Sequence, residues 1–407
     1  MSRRRIFLAA YTISGVAAVL YEVAWTRMLT LQMGHTVAAV STVLAAYMGG
    51  LALGTGLAGR LALRLDRRRS LQAYAALECA IAVCALVLPP ALSALHPVLA
   101  WAYAGGGAGA TFGVIRGLLS FALVIVPTVA MGATFPIAVR WYVGRTDHAG
   151  AEAGALYAAN AAGATAGAVL TGFVLLPAVG LFRTTLIGVA LNATAGLIAL
   201  SLARRESAAV AADPHQALGQ ARRAPQPAPR RNKPKRSPAP QAPVAQPSVG
   251  RPWLAAAALA LSGFVALAYE VAWTRVLALI IGPTSYAFSA MLAAVIGGLA
   301  IGSSLGAWLA ARTRRAAFAL GVAVALAAGA AFIVTLFIGR LPLVVAGLVS
   351  DPAASFTSVV WLQSALIVAL LLPMSVASGA AFPLAFPIPR GPEFPDQSGL
   401  LEFGDGP

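Results

Sequence analysis

The sequence predicts an all-α integral membrane protein with about ten transmembrane helices. Of its 407 residues, 59% are hydrophobic and only 10% are charged, whereas soluble proteins carry about 25% charged residues. The mean hydropathy of +0.81 agrees with this class. A third observation is a heptapeptide, Tyr-Glu-Val-Ala-Trp-Thr-Arg, that begins at Tyr21 and again at Tyr269. Because such a repeat is not expected from composition, we expect two related halves.

Ten apolar runs are long enough to span a bilayer, which takes about 20 residues in a helix. The first half holds six of them: 6–33, 36–62, 70–92, 111–139, 152–176 and 180–202. The second half holds four: 253–281, 284–311, 315–338 and 356–386. The short run 96–103 cannot span and is expected at the membrane interface. The first run is too long for a cleaved signal peptide and recurs within the chain, so we interpret it as a signal anchor.

Basic residues predict the orientation of the chain. Loops on one side of the predicted helices are rich in arginine, and the intervening loops are poor in it. The rich segments hold Arg3–Arg5, Arg60–Arg69, Arg140 and Arg145, Arg204 and Arg205, and Arg312–Arg315. Because cytoplasmic loops carry the excess of Lys and Arg, we expect a cytoplasmic N-terminus in the inner (plasma) membrane, with the lipid bilayer as partner.

The formal net charge of +16 does not indicate a nucleic-acid-binding protein, because the basic residues lie in short loops and one linker. That linker, residues 203–250, is rich in Pro, Ala, Gln and Arg and is expected to be disordered and cytoplasmic. It separates a first repeat, 1–202, from a second repeat, 251–386. A polar tail, 387–407, follows.

The second repeat is expected to be incomplete. Gly132-Ala-Thr-Phe-Pro-Ile-Ala138 matches Gly379-Ala-Ala-Phe-Pro-Leu-Ala385, and the similarity stops there. The first repeat continues for two more helices, so the sequence favours a truncated or frame-shifted chain over a diverged one.

The repeated heptapeptide supplies most of the candidate site residues. On a helix, Tyr21 shares a face with Trp25, and Glu22 shares the next face with Thr26. Arg27 lies about 140° from Glu22, so we expect each charge to meet a partner elsewhere. Charged residues inside a membrane are costly and usually functional. The candidate polar cluster comprises Tyr21, Glu22, Trp25, Arg27, Tyr269, Glu270, Trp273 and Arg275.

Two interpretations of this cluster remain open. In one, the two copies line a cavity about a pseudo-twofold axis, as in transporters built from repeats. In the other, Glu22 pairs with Arg275, or Glu270 with Arg27, and fixes helix packing. Trp25 and Trp273 are more simply explained as interfacial anchors.

Other intramembrane residues are weaker candidates. Asn160 needs a polar partner at membrane depth, and a hydrogen bond between helices is favoured over a ligand contact. Glu78 is an intramembrane carboxyl and a candidate proton-linked site. Glycines in 49–59, repeated in 297–306, predict close helix packing. Cys79 and Cys84 have no accompanying ligands, so neither a metal site nor a cofactor is predicted.

No catalytic motif accompanies these features. The glycine-rich segment 105–109 lacks the preceding strand that a nucleotide-binding loop requires. The sequence therefore predicts no catalytic domain within this chain.

Taken together, the motifs resemble the membrane region of fused major-facilitator/spermidine-synthase-like proteins. The residues that carry the resemblance are the two heptapeptides, the glycine-rich second helix, Met131-Gly-Ala-Thr-Phe-Pro136, and the segment from Leu156 to Gly180. In that family the membrane region precedes a spermidine-synthase-like aminopropyltransferase domain. The resemblance implies two parallel repeats, major-facilitator-like, and chemistry that concerns polyamines or related cations.

Three functions follow as hypotheses. The favoured one is a transporter-like domain that binds or moves a small polar, cationic substrate. The second is a membrane anchor or scaffold for a synthase-like enzyme domain that this chain does not contain. The third is a non-functional remnant of the fused protein.

Overall fold

The computed structural model describes residues 2–33, 37–103, 110–144, 149–211, 252–282, 284–313, 315–350 and 352–385. This part of the chain is helical, and within it eight stretches are long and apolar enough to cross a membrane. One of them, residues 152–207, covers two of the predicted runs. The predicted all-α class is therefore confirmed for the described residues, and the eight stretches indicate a multi-pass membrane protein.

In the described part of the chain, seven helices fall within the first predicted repeat. They are α1 (Arg3–Met33), α2 (Val37–Ala62), α3 (Arg67–Ala94), α4 (His96–Tyr103), α5 (Ala110–Tyr142), α6 (Ala149–Leu170) and α7 (Leu176–Ala211). A single π-helical turn, Thr171–Leu175, joins α6 to α7. The backbone of Gly180 leaves helical geometry with a φ of 76°, which glycine adopts without steric cost, so the chain bends there.

Five further helices of the described residues fall within the second predicted repeat. They are α8 (Pro252–Ile281), α9 (Ser285–Arg312), α10 (Ala316–Phe337), α11 (Leu341–Ser350) and α12 (Phe356–Ala385). The short helix α11 was not predicted, because ten residues are too few to produce a membrane-spanning signal. Helix α7 also continues to Ala211, beyond the predicted boundary at residue 202. Most of the predicted linker and all of the tail 387–407 lie outside the described residues, as does the glycine-rich segment 105–109.

The packing of α2 on α5 recurs as the packing of α9 on α12. A Cβ atom added to Gly54 would collide with the carbonyl oxygen of Val129, and one added to Gly302 would collide with that of Val376. Thr55 Oγ1 donates a hydrogen bond of 3.0 Å to the carbonyl oxygen of Gly132. The same contact recurs between matching residues of the second repeat, where Ser303 Oγ donates to Gly379 O over 3.2 Å.

These contacts explain the glycine-rich pattern of the second helix in each half. Small residues let two helix backbones approach closely, and a hydroxyl then reaches the opposing carbonyl. The glycine pattern that recurs in the sequence therefore corresponds to the same packing of α2 on α5 and of α9 on α12.

The first helix of each repeat has very different surroundings. Helix α1 is packed between α6 and α7, and Tyr21 and Trp25 are 0% and 1% exposed. Helix α8 has the same heptapeptide, but Phe264 and Leu279 are 69% and 76% exposed. Among the described residues, nothing takes the place of α6 and α7 beside α8.

The two repeats meet mainly through α6, its π-helical turn and α9. Gly172 lies against the side chain of Ser289, leaving no room for a Cβ atom. Phe173 stacks on Trp361, with ring centroids 5.3 Å apart, and contacts Tyr286 at 5.6 Å. The π-helical turn thus lies at the contact between the repeats.

Candidate functional site

The heptapeptides place their polar side chains inside the helical assembly. Glu22 is only 4% exposed, and Tyr21 stacks on Trp25 with centroids 5.0 Å apart and an interplanar angle of 17°. In the second copy, Trp273 and Thr274 are buried and Glu270 is half-buried. The carboxyl group of Glu22 is therefore enclosed by protein.

Glu22 opens onto a small cavity between the two repeats. The first repeat contributes Glu22, Thr26, Val43, Leu44 and Tyr47 to its lining, and the second contributes Thr274 and Phe288. Its volume of about 10 Å³ is close to the minimum for one water molecule. Thr26 and Thr274 occupy the same position in the two heptapeptides, so both copies of the motif line one cavity.

The helical spacing of the motif explains this arrangement. Glu22 and Thr26 are four residues apart and share the face of α1 that looks toward the second repeat. Tyr47 approaches from α2, where its hydroxyl donates a hydrogen bond of 3.0 Å to the carbonyl oxygen of Ala18. Phe288, from α9, closes the cavity with an apolar ring.

A second carboxyl group lies near Glu22, although it is not part of the cavity lining. Glu270 lies close enough to Glu22 to act on it electrostatically. The Oε1 atom of Glu22 is buried and has no hydrogen-bond partner in the described part of the chain. Ion pairs found among the described residues involve Arg3, Arg4 and Arg69, and neither Arg27 nor Arg275. A pair between Glu22 and Arg275, or between Glu270 and Arg27, is accordingly not present in this arrangement.

The remaining candidate residues lie at several different places. Trp25 and Trp273 are 1% and 4% exposed, so they pack inside the protein and are not the lipid-facing anchors that we expected. Asn160 lies where α6 crosses α1, with its backbone against Gly15, and does not line the cavity. Tyr269 is half-buried, and Arg275 is exposed. Glu78 lies within the first repeat, where it accepts a hydrogen bond of 2.6 Å from Ser14 Oγ.

Sequence reasoning missed several residues of the cavity. Tyr47 and Phe288 are single aromatic residues in apolar helices, and nothing in the sequence pattern distinguishes them from core residues. Thr274 could have been found, since it is the repeat equivalent of Thr26. The cavity wall is apolar, and its lining includes one carboxyl group, that of Glu22, together with Thr26 and Thr274.

No protein-family model matches this chain. The chain is similar to polyamine aminopropyltransferase 2 of Streptomyces coelicolor, with 32% identity over 206 residues. The similar segment makes up 50% of this chain and 35% of that protein, so the chain matches about a third of its relative's length. A distant relative that matches half of the chain thus supports the expected resemblance to spermidine-synthase-like proteins.

Proposed function

We propose that this chain is a membrane domain that binds and moves a small organic cation of the polyamine class, with Glu22 and Glu270 as its anionic ligands. The observation that carries the proposal is the cavity between the repeats, to which both copies of the heptapeptide contribute. Repeat-built transporters bind their substrates at such a junction. The class of substrate comes from the two like-charged carboxyl groups and from the name of the distant relative.

The size of the cavity determines what the mechanism must include. A volume of about 10 Å³ cannot hold a polyamine, so the described arrangement is a closed one. Substrate entry then requires the repeats to separate around Glu22, by the rocking motion that parallel repeats allow. The contacts at Gly172 and Phe173 would have to loosen, and the π-helical turn offers a weak point for that movement.

The proposal also includes an orientation of the chain in the membrane. We expect the N-terminus in the cytoplasm of the cell, with the basic ends of the helices on that side of the inner membrane. Arg27 and Arg275 would then lie toward the opposite side of the membrane, where they would gate access to the site.

Uptake into proteoliposomes tests the proposal. Wild-type protein should accumulate labelled spermidine, and the double variant Glu22→Gln, Glu270→Gln should lose uptake by about tenfold or more, because each charge-assisted contact is lost. Glu206→Gln, on α7, is the matched control, since it removes a carboxylate distant from the cavity. Unchanged uptake by the double variant would reject the transporter proposal.

A second function is favoured by the name of the distant relative. The membrane helices would then anchor an aminopropyltransferase domain, and the carboxyl groups would serve packing alone. If the chain is an anchor, the double variant should still purify as a monodisperse protein. It should also leave the activity of an attached synthase unchanged. Vesicle uptake by the chain alone would exclude both this function and a non-functional remnant.

A further inference from the structure

A second group of buried polar side chains lies inside the first repeat, between α1, α3 and α7. Ser14 Oγ donates a hydrogen bond of 2.6 Å to Glu78 Oε1, and Glu78 is 0% exposed. The hydroxyl of Tyr74 lies within hydrogen-bonding reach of both side chains but is not aligned with either. This group is separate from the cavity between the repeats, whose lining includes none of these residues.

Helix α7 adds an amide to the same group. A Cβ atom on Gly188 would lie 2.6 Å from the ring of Tyr21, and one on Gly196 would lie 3.4 Å from Cβ of Glu78. Asn192 is four residues from each glycine, so it shares their face of α7 and lies between Tyr21 and Glu78. Asn192 is 2% exposed. Its side chain therefore looks into the space that Tyr21 and Glu78 border.

Four oxygen atoms in this space have no hydrogen-bond partner among the described residues. They are Tyr21 Oη, Tyr74 Oη, Glu78 Oε2 and Asn192 Oδ1. Buried polar atoms in proteins are nearly always paired with protein, water or an ion. Four unpaired oxygens around one carboxyl group therefore indicate a bound species that supplies their partner.

Charge restricts what this species can be. The basic residues of α1, α3 and α7 lie more than two helical turns from Ser14, Glu78 and Asn192 along their own helices. No side chain of these three helices therefore neutralises Glu78. A buried carboxyl group without a cationic side chain is neutralised by a proton or by one bound positive charge.

The second repeat does not copy this group. Helix α10 is the equivalent of α3, and its residues from Ala316 to Phe337 include no acidic residue. A group needed only to pack the repeat would be expected in both copies, as the glycine contacts are. The group around Glu78 therefore has a role specific to the first repeat.

We propose that Ser14, Tyr21, Tyr74, Glu78 and Asn192 form a binding site for one Na⁺ ion. Hydroxyl, amide and carboxylate oxygens are hard ligands, which suit alkali and alkaline-earth ions and not zinc or copper. One carboxylate balances a monovalent ion, whereas proteins usually bind Ca²⁺ with several carboxylates. The site goes beyond the proposed substrate cavity, because its occupancy can be measured without transport.

Thermal unfolding of the purified full chain tests the site. Titration with NaCl should raise the unfolding temperature saturably, because an ion bound only to the folded state stabilises it by mass action. Choline chloride at the same ionic strength should not. Na⁺ should also change the fluorescence of Trp25, which stacks on Tyr21 at 5.0 Å, and Trp25→Phe should remove that change.

Four variants separate this site from its alternatives. Glu78→Gln should lose the response to Na⁺, and Ser14→Ala, which removes one oxygen, should raise the Na⁺ midpoint about tenfold. Ser201→Ala, at an exposed serine of α7, is the matched control and should keep the wild-type midpoint. Glu22→Gln should keep it too, so that failure of the substrate proposal would leave this result intact. A wild-type response equal in NaCl and choline chloride, or an unchanged Na⁺ midpoint in both Glu78→Gln and Ser14→Ala, would overturn the Na⁺ site.

Discussion

Glu22 of the first repeat and Thr274 of the second line the same cavity, although they belong to different copies of one heptapeptide. Glu22 is 4% exposed and Thr274 is 9% exposed. Both copies of the motif therefore contribute to one cavity, and we propose that each supplies half of a composite site. The predictions below test the packing and the charge balance that this arrangement requires.

Matching glycines in the two repeats should respond differently to the same substitution. Gly15→Ala places a methyl group against the backbone of Asn160 and should lower the free energy of unfolding by about 1–3 kcal/mol. Gly263 has no atom of the described chain within 4 Å of its Cβ position. Gly263→Ala should therefore leave stability unchanged or slightly raised, as measured by unfolding in detergent. Equal losses in both variants would show that α8 is packed as tightly as α1.

Two glycines of α2 provide a second contrast within one helix. Gly54→Ala should destabilise the protein by about 1–3 kcal/mol, because its methyl group would overlap the carbonyl of Val129. Gly56→Ala meets no atom within 4 Å and should be neutral or stabilising, since alanine is the better helix former. Gly302→Ala, the equivalent of Gly54→Ala, should repeat the loss. A harmless Gly302→Ala would contradict the repeated packing.

The ends of α1, α5 and α6 should depend on one carboxylate. Glu152 forms an ion pair with Arg4 and also accepts a hydrogen bond of 2.8 Å from the backbone N–H of Gly144. Glu152→Gln should cost about 1 kcal/mol of stability, the upper part of the range for partly exposed pairs. Glu206→Gln is the matched control, because the pair of Glu206 with Arg3 is long, at 3.9 Å, and therefore weak. Added salt should reduce the difference between the two variants.

Glu22→Gln should stabilise the protein while impairing its function. The substitution removes a buried carboxyl group that has an unpaired oxygen and a like-charged neighbour in Glu270. Relief of an unfavourable buried charge should raise the unfolding temperature by about 2–4 °C, in the usual trade between stability and activity. A fall in the unfolding temperature would indicate that Glu22 is bonded to a partner and has a structural role.

The sequence predicted the helical class and the repeat because both leave long, regular signals. Twenty apolar residues identify a spanning helix, and seven identical residues identify a repeat. The partners of single polar residues were harder to predict. Asn192 and Tyr47 are isolated polar groups in apolar helices, and the face that each presents is set by packing against helices distant in sequence. The packed positions of Trp25 and Trp273 were wrongly predicted for the same reason.

The helix α11 and the π-helical turn also escaped prediction. Helix α11 is shorter than a membrane span, and the π-helical turn from Thr171 to Leu175 has the composition of ordinary helix. It lies where Gly172 meets Ser289 across the two repeats, a contact that no local sequence pattern records. Features that depend on contacts between the two repeats could therefore not be predicted from the sequence.

Equilibrium binding of labelled spermidine to the purified chain tests the central claim most directly. The account predicts saturable binding to wild-type protein, weakened about tenfold by Glu22→Gln and further by adding Glu270→Gln. It also predicts wild-type binding by Glu206→Gln. Spermidine binding that is equally strong in wild type and in the double variant would contradict a cation site formed by the two copies of the heptapeptide.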